Sequence, residues 1–235
     1  MESGFMRESR TVRLGKSLVV AIDGPSGSGK SSVSKEAARR LGLAYLDTGA
    51  MYRAVTWRCV DLGLDLADAV AVERATRTID LDISTDPDFE LVKVGDADVT
   101  DAIREPEVST AVSAVATKLG ARAELIRLQK QKIIDAGRRM VVEGRDITTV
   151  VAPEAEVRLL LTASEEARLA RRGLQLGGTQ DAGQLTTQVL ERDKKDSTVV
   201  NFHQAADGVI TVDSSDLDFE ETVEAVLDAV HAVAD

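Results

Sequence analysis

The chain has one cysteine, few histidines, no long apolar run and a deficit of positive charge. Cys59 is the only cysteine among 235 residues, so an intramolecular disulfide is excluded and a reducing compartment, the cytoplasm, fits. Its surroundings read as helix, which makes it a packed thiol rather than a reactive one. The histidines, His203 and His231, lack HExxH spacing and cysteine partners, which argues against a zinc site. No apolar stretch approaches the length of a membrane span. Residues 1–16 are polar and mixed in charge, with no apolar core of a secretory signal, and are expected to form a flexible leader without function. Against 40 Asp and Glu stand 29 Lys and Arg, a net charge of −11. That balance disfavours non-specific attachment to nucleic acid or anionic membrane, so any basic pocket must be local. Internal repeats, heptad arrays and low-complexity tracts are also missing, as are DxxG and NKxD sequences.

What is present is a globular composition, 43% hydrophobic with mixed charges, at a length that suits one large domain or one domain with an insertion. The chain is organised around residues 17–40. Gly24, Gly29, Lys30 and Ser31 fall on the GxxxxGK[ST] pattern of a phosphate-binding loop. An apolar run over 18–22 reads as a buried strand, and Val33, Ala37, Ala38 and Leu41 follow at helical spacing, so strand, loop and helix come in the required order. Glycines at 24, 27 and 29 let backbone N–H groups converge on phosphate oxygens at a helix start. The loop candidates are therefore Gly24, Pro25, Ser26, Gly27, Ser28, Gly29, Lys30, Ser31 and Ser32. Lys30 would span the β- and γ-phosphates of ATP, and Ser31 would offer its hydroxyl to Mg²⁺.

Further along, residues 43–47 read as a second strand and 48–62 as a helix with Thr48 as its N-cap. This alternation favours a parallel sheet with helices on both faces. From 65 to 108 the pattern changes to short alternating pieces (81–84, 89–94, 98–100) separated by Pro87 and Gly95, as in a small antiparallel sheet. This insertion is expected to form a minor core and to move relative to the main body. Residues 107–137 read as helix broken near Gly120, and 140–143 as a strand. The Gly144-Arg145-Asp146 loop should then face the phosphate loop across the carboxyl ends of the strands. After a strand at 156–162, Ser164 opens a helix bearing Arg168, Arg171 and Arg172. Gly177 and Gly178 interrupt it, and a second helix is expected over 184–195. The pair reads either as a lid, residues 164–198, or as a solvated helix hairpin. A last strand (208–212) and helix (219–233) complete one α/β domain, residues 17–235.

Four motifs in this order, Gly-Pro-Ser-Gly-Ser-Gly-Lys-Ser-Ser (24–32), Asp-Thr-Gly-Ala-Met-Tyr-Arg (47–53), Glu-Gly-Arg-Asp (143–146) and Glu-Arg-Asp-Lys-Lys-Asp-Ser (191–197), resemble those of the bacterial cytidylate kinases. The resemblance implies a P-loop NTPase-type fold, with an inserted small α+β subdomain for the nucleoside monophosphate and a helical lid. It also implies phosphoryl transfer from ATP to CMP or dCMP with Mg²⁺. By carry-over, Arg53, Arg145 and Arg192 would hold the acceptor phosphate and the transferring group, with Thr48 and Tyr52 in the acceptor pocket. Ser113, Arg122 and Asp146 match the family's cytosine positions and Asp196 its ribose position, while Glu143 would orient a Mg²⁺-bound water. Lys30, Arg145 and Arg192 are the candidate catalytic residues. An arginine or hydroxyl donor beside a carboxylate acceptor complements the O2, N3 and amino edge of cytosine, whereas uracil presents the wrong edge. The chain departs from the family after Asp196: Val199 stands where many relatives have arginine, and Asn201-Phe202-His203 replaces a Pro-Leu pair. The partners expected are small nucleotides, with no nucleic acid or membrane, and the chain is expected to be a monomer. The alternatives are a kinase for another nucleoside monophosphate or a small alcohol, a P-loop switch, or a non-catalytic binding module.

Overall fold

The computed structural model describes residues 17–175 and 193–234. The expected leader, Arg192, the Gly177-Gly178 interruption and most of the second lid helix lie outside the described residues. Apolar β1 (Leu18–Asp23) is buried along its whole length, as a central parallel strand covered on both faces must be. It pairs with β6 (Arg139–Gly144) on one side and β7 (Val157–Thr162) on the other. Beyond them lie β2 (Ala44–Asp47) and β8 (Ile210–Asp213), giving a parallel sheet in the order β2-β6-β1-β7-β8.

Alternation along β1 divides the core. Leu18, Val20 and Ile22 face α1 (Lys30–Leu41) and α7 (Phe219–Ala234), where Val33, Ala37, Val223 and Val226 close the layer. Val19 and Ala21 face the opposite layer, which contains α2 (Thr48–Asp61), α4 (Pro106–Ala116) and α5 (Leu119–Asp135).

The 65–108 segment contributes an antiparallel sheet, β3 (Leu81–Ile83), β4 (Val92–Val94) and β5 (Ala97–Asp98). It also holds a helix that the sequence pattern did not reveal, α3 (Ala69–Arg77), whose N-cap Asp68 accepts from the Val70 and Ala71 N–H groups at 2.9 and 3.1 Å. The expectation of only a minor core is corrected. Val72, Ile83, Val92, Val94, Val99 and Ile103 share one buried cluster with Val19 and Ala21, because α2, α4 and α5 bridge the small sheet to the large one.

Two local expectations also change. Asp47, not Thr48, caps α2: its carboxylate accepts from the Ala50 N–H at 2.9 Å, while the Thr48 hydroxyl donates to the Glu143 carbonyl at 2.8 Å. The helix break after α4 falls at 117–118 rather than at Gly120. Gly120 sits in the first turn of α5, where the missing side chain admits Glu73 of α3.

Parallel register brings Asp23 opposite Gly144, and Asp47 opposite Glu143, at the carboxyl edge of the sheet. Buried Asp23 turns toward a π-helical turn (Ile147–Val151). It accepts from the Ile147 N–H at 2.8 Å, the Thr148 N–H at 2.9 Å and the Thr148 hydroxyl at 2.6 Å. Burial pushes its pKa up, and the three donors oppose that rise. The chain carrying Arg145 and Asp146 is thereby tied to the end of β1.

Candidate active site

The carboxyl edge opens into a crevice of about 440 Å³. Its floor is the glycine loop. Gly29, at φ 85°, caps α1 in the left-handed region that favours glycine, and Lys30 begins the helix. Gly27, at φ 79°, passes so close to β7's following helix, α6 (Glu165–Gln175), that a Cβ there would lie 2.6 Å from the Arg168 carbonyl oxygen. Ser26, Gly27, Gly29, Lys30, Ser31 and Ser32 line the crevice. Gly24, Pro25 and Ser28 support it from below: Gly24 lies against the Leu161 carbonyl, and the Pro25 carbonyl accepts from the Ser28 N–H at 3.4 Å.

Glu143, at 2% exposure, is the hinge between loop and sheet. It accepts from the Ser31 hydroxyl at 2.6 Å and from the Tyr45 hydroxyl at 3.3 Å, and lies 3.5 Å from Lys30 Nζ. Burial pushes its pKa above the usual glutamate range; Lys30 pulls it back and the neighbouring Asp47 raises it again. Burial acts on Asp47 in the same sense, but Arg53, the Ala50 N–H and Lys30 outweigh it and hold Asp47 below its ordinary value. Arg53 donates to Asp47 at 2.9 Å. Its Nε is buried without a hydrogen-bond partner among the described residues, a donor left over for an anion.

These shifts give a pH prediction. As pH falls, Glu143 takes up its proton earlier than an ordinary glutamate and releases its grip on Lys30 and Ser31. Turnover per substrate encounter, kcat/KM, should then drop about tenfold per pH unit on the acid side, and Glu143→Gln should flatten that limb. Stability should run the other way. Folding disfavours the ionised form, so the wild type gains stability relative to Glu143→Gln as pH falls through the folded pKa. Paired rate profiles and thermal melts check both signs.

Thr48, Tyr52, Arg53, Ser113, Arg122, Arg145, Asp146 and Asp196, dispersed over about 150 positions, line the same crevice as Lys30. Arg122, from the first turns of α5, pairs with Asp146, whose pKa burial raises against the pull of that guanidinium. Arg122 also donates to the Ala116 carbonyl at 3.2 Å. The Ser113 hydroxyl donates to Asp196 at 2.8 Å. Burial raises the pKa of the Tyr52 hydroxyl, so it stays a neutral donor.

Several residues that shape the site were not among the sequence candidates. Asp193 accepts from the Ser26 N–H at 3.2 Å and pairs with Arg168 at 2.5 Å and with Arg145 at 2.9 Å. It lies within the 191–197 motif, which was the available signal. Arg168 also donates to the Ser26 carbonyl at 2.9 Å. Arg172, from the end of α6, lines both the crevice and an adjoining cavity of about 430 Å³. Burial and the positive charges of Arg53 and Arg104 depress its pKa, so positive charge is concentrated where an anion would enter. Among the described residues, no group of three or more His, Cys, Asp or Glu forms a metal cluster. No described helix is long and apolar enough to cross a membrane.

A parallel sheet that delivers a glycine loop, its lysine and several arginines to one crevice is the arrangement of a P-loop phosphotransferase. Comparison with known proteins narrows the class. The profile of the cytidylate kinase family matches residues 20–232. The cytidylate kinase of Cutibacterium acnes is 48% identical over 217 residues, covering 91% of this chain and 96% of that one. That of Streptomyces avermitilis is 42% identical over 224 residues, covering 95% and 96%. The chain belongs to the cytidylate kinase family. In fold it is similar to an uncharacterized protein from Eubacterium ventriosum, with a TM-score of 0.51 at 11% identity, covering 92% of this chain and 99% of that one.

Proposed function

We propose that the protein transfers the γ-phosphoryl group of ATP to CMP or dCMP, giving ADP and CDP or dCDP, in pyrimidine nucleotide metabolism. The observation that carries this reading is the shared crevice: the phosphate-loop Lys30 and the Arg122–Asp146 pair line one cavity. A base read at Arg122 and Asp146 would lead its phosphate toward Arg53, Arg145 and Lys30.

In this reading residues 24–32 cradle the phosphates of ATP, and Lys30 offsets charge on the β- and γ-oxygens. Arg53 and Arg145 hold the acceptor phosphate, because guanidinium stays charged and forks onto two oxygens. Thr48 and Tyr52 shape the acceptor pocket. Ser113, Arg122 and Asp146 read cytosine, and Asp196 takes the ribose. Arg192 carries its role in the transfer from the resemblance alone. Transfer is in line, without a covalent enzyme intermediate, and catalysis is positioning plus charge stabilisation.

Ser31 and Glu143, 2.6 Å apart beside Lys30, are hard oxygen donors that suit Mg²⁺, which keeps several of its waters. Ser31 would hold the ion, Glu143 would orient one of its waters, and the ion would neutralise phosphate charge. Residues 65–108 would serve the nucleoside monophosphate, and residues 164–198 would act as the lid. That assignment draws on Arg172 and Asp196, which reach the crevice from the described ends of the lid segment. The single cysteine and acidic charge support a cytoplasmic monomer with small nucleotides as partners and neither nucleic acid nor membrane among them.

Coupled ADP release with CMP, dCMP, UMP, AMP and shikimate tests the reading. CMP and dCMP should drive release much faster than the other three. Release indifferent to CMP would overturn it, as a switch that hydrolyses nucleotide without an acceptor would show. Asp146→Asn exchanges one acceptor oxygen for a donor, so the preference for CMP over UMP should narrow by about tenfold. An unchanged ratio would remove Asp146 from the base-reading set.

A further inference from the structure

Phe202 is an aromatic side chain buried away from both cores. It is 1% exposed, yet it belongs to neither apolar cluster flanking the sheet. It stands in the segment where the chain departs from the family pattern. In the structure its ring lies against Arg145, with the guanidinium carbon 4.6 Å from the ring centroid. The other contacts of that guanidinium are charged or polar. Asp193 lies at 2.9 Å and the Ser26 hydroxyl at 2.6 Å. Arg145 Nη1 is 2.6 Å from Asp196 without the alignment of a hydrogen bond, so that contact is an ion pair.

The segment that carries Phe202 is itself anchored. The His203 ring packs at 4.4 Å against the Phe202 ring, and its Nε2 is 2.9 Å from the Ser197 hydroxyl. That hydroxyl donates to the Asp193 carbonyl at 2.6 Å. Ring, carboxylates and anchor therefore belong to one short piece of chain, 193–203, folded around a single guanidinium.

We propose that Phe202 is a positioning residue for phosphoryl transfer, acting through Arg145. An aromatic face attracts a cation, and more strongly where water is excluded. An arginine also loses more rotamer freedom on being ordered than most side chains. A ring that covers one face of Arg145 removes that face from solvent and holds the plane, with Nη2 donating to the Ser26 hydroxyl and Nη1, which has no hydrogen-bond partner among the described residues, left for an incoming phosphate. The orientation is then set before substrate binds, which is where electrostatic catalysis gains most. This deepens the kinase reading and rests on it.

The test replaces Phe202 with phenylalanines bearing one, two and three ring fluorines, which drain the π face while nearly keeping its shape. We expect kcat/KM for CMP to fall stepwise, by about fivefold at three fluorines, with Tm constant within about 2 °C. In an Arg145→Met background, which keeps an unbranched side chain and removes the cation, the series should be flat. A second readout needs no substrate: the Arg145 Nε–H NMR signal should move, and exchange faster with water, in Phe202→Leu. A flat series with normal wild-type turnover, an equal decline in Arg145→Met, or an unmoved Arg145 signal overturns the proposal. Wild-type ADP release indifferent to CMP overturns the functional reading and this proposal with it.

Discussion

Lys30→Ala should lower the CMP-dependent rate at saturating substrates by about 10²–10³-fold, the usual consequence of deleting one preorganised charge at a site of transition-state charge build-up. Lys30 is the cation at the start of α1, directly after the left-handed Gly29, and its side chain is only 13% exposed beside Glu143. The fold should survive, because Glu143 keeps the Ser31 and Tyr45 hydroxyls, although its carboxyl will be protonated more readily without the ammonium group. Lys30→Arg restores the charge without the compact ammonium shape, so it should recover only part of the rate. Single-turnover measurements check this. A rate within tenfold of wild type for Lys30→Ala would remove Lys30 from the transfer step.

Gly24→Ala should damage both stability and turnover. A Cβ at position 24 would overlap the carbonyl oxygen of Leu161. That oxygen is backbone of β7, whose Leu161 is in register with Val212 of β8 and whose Leu160 is in register with Asp23. A strand tied on both sides cannot yield as a side chain would. Overpacking of this kind costs about 1–3 kcal/mol, and at this chain length that lowers Tm by roughly 2–10 °C. Turnover should fall more than about tenfold, since even small displacements of a phosphate-holding loop are costly. Gly95→Ala is the control. Its φ of 58° strains any side chain, but nothing lies within 4 Å of the added Cβ, so it should lose about 1–2 kcal/mol of stability with turnover intact. Equal activity losses in the two variants would refute the idea that the Gly24–Leu161 contact places the loop.

What was legible in the sequence was local. Residues 18–41 encode strand, loop and helix in one continuous piece, so spacing alone locates Lys30 and Ser31. Arg145 directly follows a strand, and a parallel sheet must place strand ends on one edge. Its arrival beside the phosphate loop followed from topology that alternation already implied, whereas Arg53 was indicated by resemblance. The role proposed for Arg122 came only from resemblance, because a residue on a charged helix carries no signal of its own.

What was not legible depended on partners far away in the chain. Thr48 has the chemistry of an N-cap, yet Asp47 competes for the same N–H, and the Glu143 carbonyl offers Thr48 another bond. Gly120 has the chemistry of a helix breaker, yet the approach of Glu73 gives it a packing role. The insertion is rich in aspartate, and only the bridging helices show that Val72, Ile83 and Val94 join the central core.

By itself the sequence determined the chemistry on hand: a phosphate loop, a stock of arginines and carboxylates, and strands whose ends must share an edge, all set by spacing within a few turns of chain. Tertiary structure alone decided how those charges pair. Asp193 reaches the Ser26 N–H across 167 positions, Glu143 is pressed between Ser31 and Lys30, and Phe202 covers Arg145. Burial and distance set the strength of a charge–charge contact, and both exist only once the chain has folded.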